Sequence, residues 1–410
     1  MSSSRTFNYI FVSLLLVGSF IGGLNVGKKG YDVQLKRTPP VINIINKEPQ
    51  DQNVDFKIFW EVWDALNKNY LERPLDARKL LYGAISGMVN SAGDDYTAFF
   101  TPEQNKLATS SLNGVYEGIG AELGFKDKQL IVISPIEGSP AKSAGVKPGD
   151  KILEIEGATT LGLSMSDAVS KIRGPSGTVS TLKFQRADSE PFDLKITRGQ
   201  IVAKSVSWKD LGEGIGYLRL ARFGDSTTKQ WTESVGEMLA QMPNLKGVVL
   251  DVRGNPGGYL SAATYIASEF LPIGKTVLFE ETAEGLKTEQ KADRKGLLLD
   301  KPVVILIDKG SASASEIVSG ALYDNKRAKL VGLTSFGKGT VQASNDFDDG
   351  SSLHVTIAKW LTPNKTWVHK VGLKPDFEVE VTEEDVKAGK DPQEEKAVEV
   401  LKGELNNAKK

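Results

Sequence analysis

Residues 303–316 run Val303-Val304-Ile305-Leu306-Ile307-Asp308-Lys309-Gly310-Ser311-Ala312-Ser313-Ala314-Ser315-Glu316. Five consecutive apolar residues are what a strand buried on both faces requires. Asp308-Lys309-Gly310 then signals a turn, and the small residues beyond it suit the start of a helix. A serine there stands where strand becomes helix, beside main-chain N–H groups able to stabilise negative charge. Pattern alone leaves Ser311, Ser313 and Ser315 as alternatives. If the helix covers all three, Ser311 and Ser315 share a face and Ser313 lies away from it. Close packing and helix capping explain the same cluster without any chemistry.

Working outward, Ile215 to Leu220 and Val248 to Val252 are similar short apolar runs. With helices expected at Ser226–Gln241, Ser261–Phe270 and Ala314–Tyr323, the region from Gly214 to about Val379 reads as α/β. Glu280 to Lys295 is polar and expected as an exposed excursion. The run Asp346–Asp349 with Gly350 reads as a hairpin turn rather than a calcium loop.

Phe336-Gly337-Lys338-Gly339-Thr340-Val341-Gln342 lies about 25 residues beyond the serines. The chain has no cysteine and only two histidines. Nucleophilic hydrolysis needs an activated hydroxyl or thiol and a base, so serine with a neutral lysine is the natural pairing. A lysine in water is protonated; burial without a partner carboxylate lowers its pKa. If Gly337 to Gln342 is extended, Lys338, Thr340 and Gln342 point to one side, and the Gln342 amide is placed to orient the amine. A third segment, Leu250-Asp251-Val252-Arg253-Gly254-Asn255-Pro256-Gly257-Gly258, ends a strand in a turn. Its adjacent glycines, Gly257 and Gly258, can aim N–H groups at a ligand oxygen. His354, on an expected strand Leu353–Trp360, and His369, near a turn, are the alternative bases. Two separated histidines and no cysteine give no metal-site spacing, and no cofactor is expected.

At 40% hydrophobic and 25% charged residues, the chain is of the folded, soluble class, and 410 residues allow two or three domains. A net charge of −1 gives no electrostatic footprint for nucleic acid. Residues 1–26 carry the apolar run Tyr9 to Leu24, read as a signal peptide or membrane anchor. Residues 27–52 read as a linker. An N-terminal helical region, 53–112, is expected from Phe56 to Tyr70, whose aromatic stripe reads as core or a packing surface, with a dimerisation face as the sharper option, and from Ala77 to Val89. The loop Ser91-Ala92-Gly93-Asp94-Asp95-Tyr96-Thr97 closes it. Residues 381–410 read as a solvated, charge-mixed tail.

Between these, residues 113–200 change to short strands and glycine turns. Gly118-Ile119-Gly120-Ala121-Glu122-Leu123, Gly138-Ser139-Pro140-Ala141 and Ala144-Gly145-Val146-Lys147-Pro148-Gly149-Asp150 resemble a PDZ domain of the protease-associated kind. In that reading, N–H groups around Gly118, Ile119, Gly120 and Ala121 capture a chain-terminal carboxylate, and the following strand offers an edge to an extended peptide. Arg173, at the end of a helix expected at Ser164–Ile172, is a candidate contact to the core or to substrate.

From about Phe56 to Val379, including Gly372-Leu373-Lys374-Pro375-Asp376, the chain resembles the carboxyl-terminal processing (tail-specific) proteases. These are serine peptidases with a PDZ domain inserted before a crotonase-like or Clp-protease-like α/β core, here residues 201–380. The resemblance implies Ser313 as nucleophile, Lys338 as general base and Gln342 as its positioning residue. It implies an oxyanion hole from the Ala314 N–H and an amide of the Gly257-Gly258 turn, and it leaves Glu316 without an assigned role. Partners would be proteins or peptides with free carboxyl termini, with membrane anchoring and a homo-oligomer as further expectations. The expected location is the periplasm or cell envelope. The alternative is a binding scaffold of the same fold without catalysis.

Overall fold

In the computed structural model, which describes residues 16–21, 32–36, 41–45 and 55–407 apart from 127, 137, 164 and 188, Val303–Ile307 is a central strand buried at every position. Its six-stranded sheet runs in the order Val206–Asp210, Ile215–Leu220, Gly247–Asp251, Val303–Ile307, Ala328–Gly332, Phe377–Glu378. The first pairing is antiparallel and the others are parallel. Alternation divides the side chains between two cores, as the unbroken apolar pattern requires. Val303, Ile305 and Ile307 join Leu218, Leu250 and Trp231 on one face. Val304 and Leu306 join Tyr217, Val249 and Val331 on the other.

Helices Thr227–Gln241, Leu260–Phe270 and Ala314–Asp324 contribute to the first core. The second core includes Ala397 and Leu401, both fully buried, from the helix Pro392–Asn407. This corrects the expectation of a solvated tail: an amphipathic helix with residues i and i+4 on one face closes that side of the sheet. It is locked at its start, where Arg253 donates to Asp391 (2.9 and 2.8 Å) and Gln393 (2.9 Å).

A second sheet is antiparallel, with Lys287–Lys291, Thr276–Thr282, Ser352–Leu361 and Thr340–Asp346 in order and Ala98–Phe100 paired to Ser352–Leu361. Residues 280–295, expected as an excursion, therefore supply a hairpin arm of this sheet. Residues 347–351 form a turn, with Phe347 N–H donating to the Ser351 carbonyl and Gly350 N–H to that of Phe347, both at 2.9 Å.

Chain contacts divide the protein into two units, residues Met1–Leu80 and Leu81–Lys410. In the first, the segment expected as a linker holds an antiparallel pair, Asp32–Lys36 with Val41–Ile45. The helix Lys57–Asn69 buries none of its residues. Its aromatic side chains contact one another instead, Phe59 lying 5.0 Å from Trp60 and 6.3 Å from Trp63 between ring centres. Within this unit the stripe is therefore not a buried core. Most of residues 1–26 lie outside the described residues, and among the described residues no helix is long and apolar enough to cross a membrane.

Within the second unit, a small β domain has its own core around Leu130, Val132, Ile152, Leu182, Phe184 and Ile196. Its sheet order is Phe192–Thr197, Val179–Gln185, Lys151–Ile155, Gln129–Pro135, Ala121–Lys126. The Pro148-Gly149-Asp150 turn is fixed by buried Asp150, which accepts from the Lys147 N–H and two bonds from Arg186, all at 2.8–2.9 Å. A two-stranded stem, Val115–Gly118 with Gly199–Val202, leads into and out of this domain.

Candidate active site

The strand Val303–Ile307 and the helix Ala314–Asp324 are joined by a turn that holds Ser311 and Ser313, with Ser315 in the first turn of the helix, and this arrangement separates the three candidate serines. The Ser311 hydroxyl is buried and donates to the Val252 carbonyl (2.8 Å) while accepting from the Asp308 N–H (3.0 Å). Buried Ser315 donates to the Asn255 carbonyl (2.9 Å). Ser313 is half-buried and lines a cavity of about 670 Å³ together with Lys338, Gln342, His354 and the Gly257-Gly258 turn. Its backbone takes φ 53° and ψ −114°, a left-handed conformation that costs a non-glycine residue about 1–3 kcal/mol. That posture, the turn's hydrogen bonds and the helix behind it project the side chain into the cavity instead of the core.

The glycine turn comes close because it has no side chains to obstruct it. A Cβ on Gly257 (φ 98°) would sit 2.7 Å from the Ala312 carbonyl oxygen and 2.9 Å from the Ser313 Cβ. Asn255, fully buried, stitches the two loops: its carbonyl accepts from the Ala312 N–H (3.0 Å), and its side chain donates to the Leu220 carbonyl (2.9 Å). Its Oδ1 accepts the Gly257 N–H at 2.9 Å. This corrects the Gly257 expectation, since that donor is engaged within its own loop. The Gly258 residue bridges to Phe223 through its neighbours, whose groups make the bonds (Phe223 N–H to Gly257 carbonyl, 3.0 Å; Tyr259 N–H to Phe223 carbonyl, 2.8 Å). Among the described residues neither the Gly258 N–H nor the Ala314 N–H has a protein acceptor.

Glu316 resolves a role that the sequence left open. Its buried carboxylate accepts from the Ser313 N–H (2.8 Å) and the Lys338 N–H (2.9 Å) on one oxygen. The other accepts from the Ser335 hydroxyl (2.6 Å) and the Gly337 N–H (2.7 Å). One side chain therefore fixes the serine turn and the lysine loop to each other. Trp360 and Trp367 hold the loop from the far side, donating their indole N–H groups to the Lys338 and Gly339 carbonyls at 2.9 and 2.8 Å.

Lys338 is half-buried, and burial holds its amine below the ordinary lysine value against a smaller opposing pull from Asp94. That is the direction a proton acceptor needs. Gln342 lies in the same cavity, but its amide does not reach the lysine amine; it donates to Thr340 Oγ1 (2.9 Å) and Thr356 Oγ1 (3.0 Å). The extended alternation failed here because Lys338 precedes the strand Thr340–Asp346 and the register shifts between Val341 and Gln342. His354 also lines the cavity, packed on Phe100 at 4.7 Å and lowered in pKa by burial. His369 stacks on Trp367.

In the β domain, Gly118 belongs to the paired stem, opposite Gly199. This corrects its place in an open carboxylate loop and leaves the turn Ile119-Gly120-Ala121, with Gly120 at φ 75°. A Cβ at Gly120 would meet Ser139 Cβ at 2.5 Å, so the chain must be glycine there. The strand that follows, Ala121–Lys126, is the last in its sheet order, and among the described residues no strand pairs with its outer edge. Arg173 lies over the Tyr116 ring on the stem, 4.7 Å from its centre.

A small domain carried on a stem beside an α/β core, with a serine at a strand-to-helix turn sharing a cavity with a half-buried lysine, defines the class of PDZ-containing serine peptidases. Two family models match: peptidase family S41 at residues 214–379 and PDZ domain at residues 131–186. The chain is 37% identical over 325 residues to the carboxy-terminal processing protease CtpA of Bacillus subtilis, spanning 78% of this chain and 69% of that one. It is 37% identical over 329 residues to CtpB of the same organism, spanning 78% and 66%. A putative S41 protease structure from Bacteroides fragilis shares the fold at 15% identity (TM-score 0.52; 81% of this chain, 92% of that one). The chain belongs to the carboxy-terminal processing proteases of peptidase family S41 and is a serine-type peptidase.

Proposed function

We propose that this protein cleaves protein substrates near their carboxyl termini, with Ser313 as nucleophile and Lys338 as general base. The observation that carries the assignment is the sorting of the three serines: Ser311 and Ser315 are buried and bonded, whereas Ser313 shares a cavity with a lysine that burial depresses. In the reaction, neutral Lys338 takes the Ser313 proton as the oxygen attacks the peptide carbonyl, then passes it to the departing amine. Water releases the acyl-enzyme by the same route. The Ala314 and Gly258 N–H groups receive the oxyanion, the first with the helix dipole behind it. Gln342 sets the cavity wall beside the amine through Thr340 and Thr356. The edge strand Ala121–Lys126 and the turn Ile119-Gly120-Ala121 take the substrate tail by strand addition.

Partners are thus proteins and peptides with free carboxyl termini. We also propose export to the periplasm or cell envelope with residues 1–26 as anchor, supported by the apolar run Tyr9 to Leu24; release by alkaline carbonate extraction counts against it. A homo-oligomer is tested by light scattering of the full chain. The decisive test compares the parent with Ser313→Ala and Lys338→Ala on unstructured peptides bearing free or amidated termini. Both variants should lose cleavage and amidation should weaken it. Cleavage by Ser313→Ala rejects the nucleophile, and an inert parent that still binds tails leaves the scaffold reading.

A further inference from the structure

The loop Asp94–Thr97 reaches the lysine through its aromatic residue. Lys338 Nζ lies 5.0 Å above the centre of the Tyr96 ring. The Tyr96 ring meets His369 edge-on (6.0 Å, 69°), His369 stacks on Trp367 (5.0 Å, 13°), and Trp367 donates to the Gly339 carbonyl. An aromatic column therefore runs from the Lys338 amine back to the main chain of the next residue. The loop's other end is tied to Gln342, which lines the cavity. Thr97 Oγ1 donates to Asp94 Oδ2 (2.6 Å) and accepts from the Thr356 N–H (3.1 Å), while Thr356 Oγ1 accepts from Gln342.

We infer that Tyr96 is a positioning residue for the general base: its ring face receives the ammonium that Lys338 becomes on taking the Ser313 proton, and the Asp94–Thr97 loop fixes that face against the cavity. The inference rests on the Ser313/Lys338 reading. It balances without any added reagent, because the proton passes from Ser313 Oγ to Lys338 Nζ and on to the leaving amine.

A π face favours the cation over the neutral amine, so the ring lowers the cost of the charged state that burial raises. Asp94 acts in the same direction. The other titratable or charged groups around the site are Asp95 on the same loop, Glu316 on the serine helix, His354 with Asp346 on the hairpin, His369 and, across the cavity, Arg222. Burial, with Asp95, Glu316 and Asp94, pushes the Tyr96 phenol up, so the ring is neutral where the enzyme works.

Two substitutions separate this role from packing. Tyr96→Leu should lower kcat by about 3- to 30-fold with little change in KM, and move the acid limb of the kcat/KM pH profile down by about 0.4–1.5 units. Loosened packing would instead admit water and move the limb up, toward the ordinary lysine value. Tyr96→Phe, which keeps the ring, should recover both readouts. Measured on an unstructured peptide with a free carboxyl terminus, an unmoved or rising limb in Tyr96→Leu, or failure of Tyr96→Phe to recover kcat, overturns the inference. If Tyr96→Leu does not fold, Asp94→Asn takes its place: its limb should also fall, and an unmoved limb overturns the loop's role. Lys338→Ala in the same assay keeps the two levels apart. Its retained cleavage removes the dyad itself, whereas its loss beside an unaffected Tyr96→Leu removes only the role of the ring.

Discussion

Glu316→Gln replaces the carboxylate that joins the serine turn to the lysine loop with an amide of nearly the same shape. The carboxylate accepts four hydrogen bonds, two on each oxygen, but an amide has only one acceptor edge. Turned toward Ser313 and Lys338, its NH2 leaves two main-chain N–H groups unpaired. Turned the other way it leaves the Gly337 N–H unpaired and confronts Ser335, whose oxygen already accepts the Leu373 N–H at 2.7 Å. The second arrangement costs less. One orphaned buried donor costs about 1–3 kcal/mol, and two weakened charge-assisted bonds add about 1 kcal/mol each, giving about 3–5 kcal/mol. For the unit Leu81–Lys410 that lowers the melting midpoint by about 4–7 °C. Because Ser313 and Lys338, the proposed nucleophile and base, hang from the joined loops, a shift of about 1 Å between them should reduce kcat about 100-fold. Calorimetry and steady-state cleavage of a free-terminus peptide measure the two effects. A variant melting within about 1 °C of the parent and keeping its kcat refutes the tether.

Leu401→Ala, at a fully buried position under the parallel sheet, should cost about 2–5 kcal/mol by urea unfolding; a change below about 0.5 kcal/mol would mean that the helix does not close that core. Asp150→Asn should destabilise residues 113–200 by about 2–3 kcal/mol, read by hydrogen exchange over that segment, with the parallel sheet unaffected. Burial alone would raise the Asp150 carboxyl, but bonds from Arg186 and the Lys147 N–H outweigh it and hold the group below its ordinary 3.8. The fold therefore favours the charged form, its contribution is present above the unfolded value, and protection of this domain should fall as pH drops below about 3.8. Protection that is flat from pH 5 to pH 2.5 contradicts this.

Elements with a strong local period were legible in the sequence. Ile215–Leu220 and Val303–Ile307 begin and end where the apolar runs do, and the helix Leu260–Phe270 starts one residue before its expected start. Distances across the chain were not legible. Three serines so close together look alike until Val252 and Asn255, some 60 residues away, accept from two of them. The Gln342 amide is directed by Thr340 on its own strand and by Thr356 on the neighbouring one, and no spacing along the chain points to the second. Pro392–Asn407 read as a tail because charges of both signs are mixed along it; the apolar positions Ala397, Leu401 and Leu405, at intervals of four, were the available signal. The Asp94–Thr97 loop carried none, because Tyr96 matters for a lysine 242 positions later.

The stem beneath the β domain ends where the Ala203 N–H meets the Gly114 carbonyl at 2.8 Å. An excursion of almost ninety residues thus departs from and returns to nearly one point on the core, and a few glycines could span the gap. Such a junction makes the β domain a self-contained insert, whose removal would leave the strands of the parallel sheet and their register untouched.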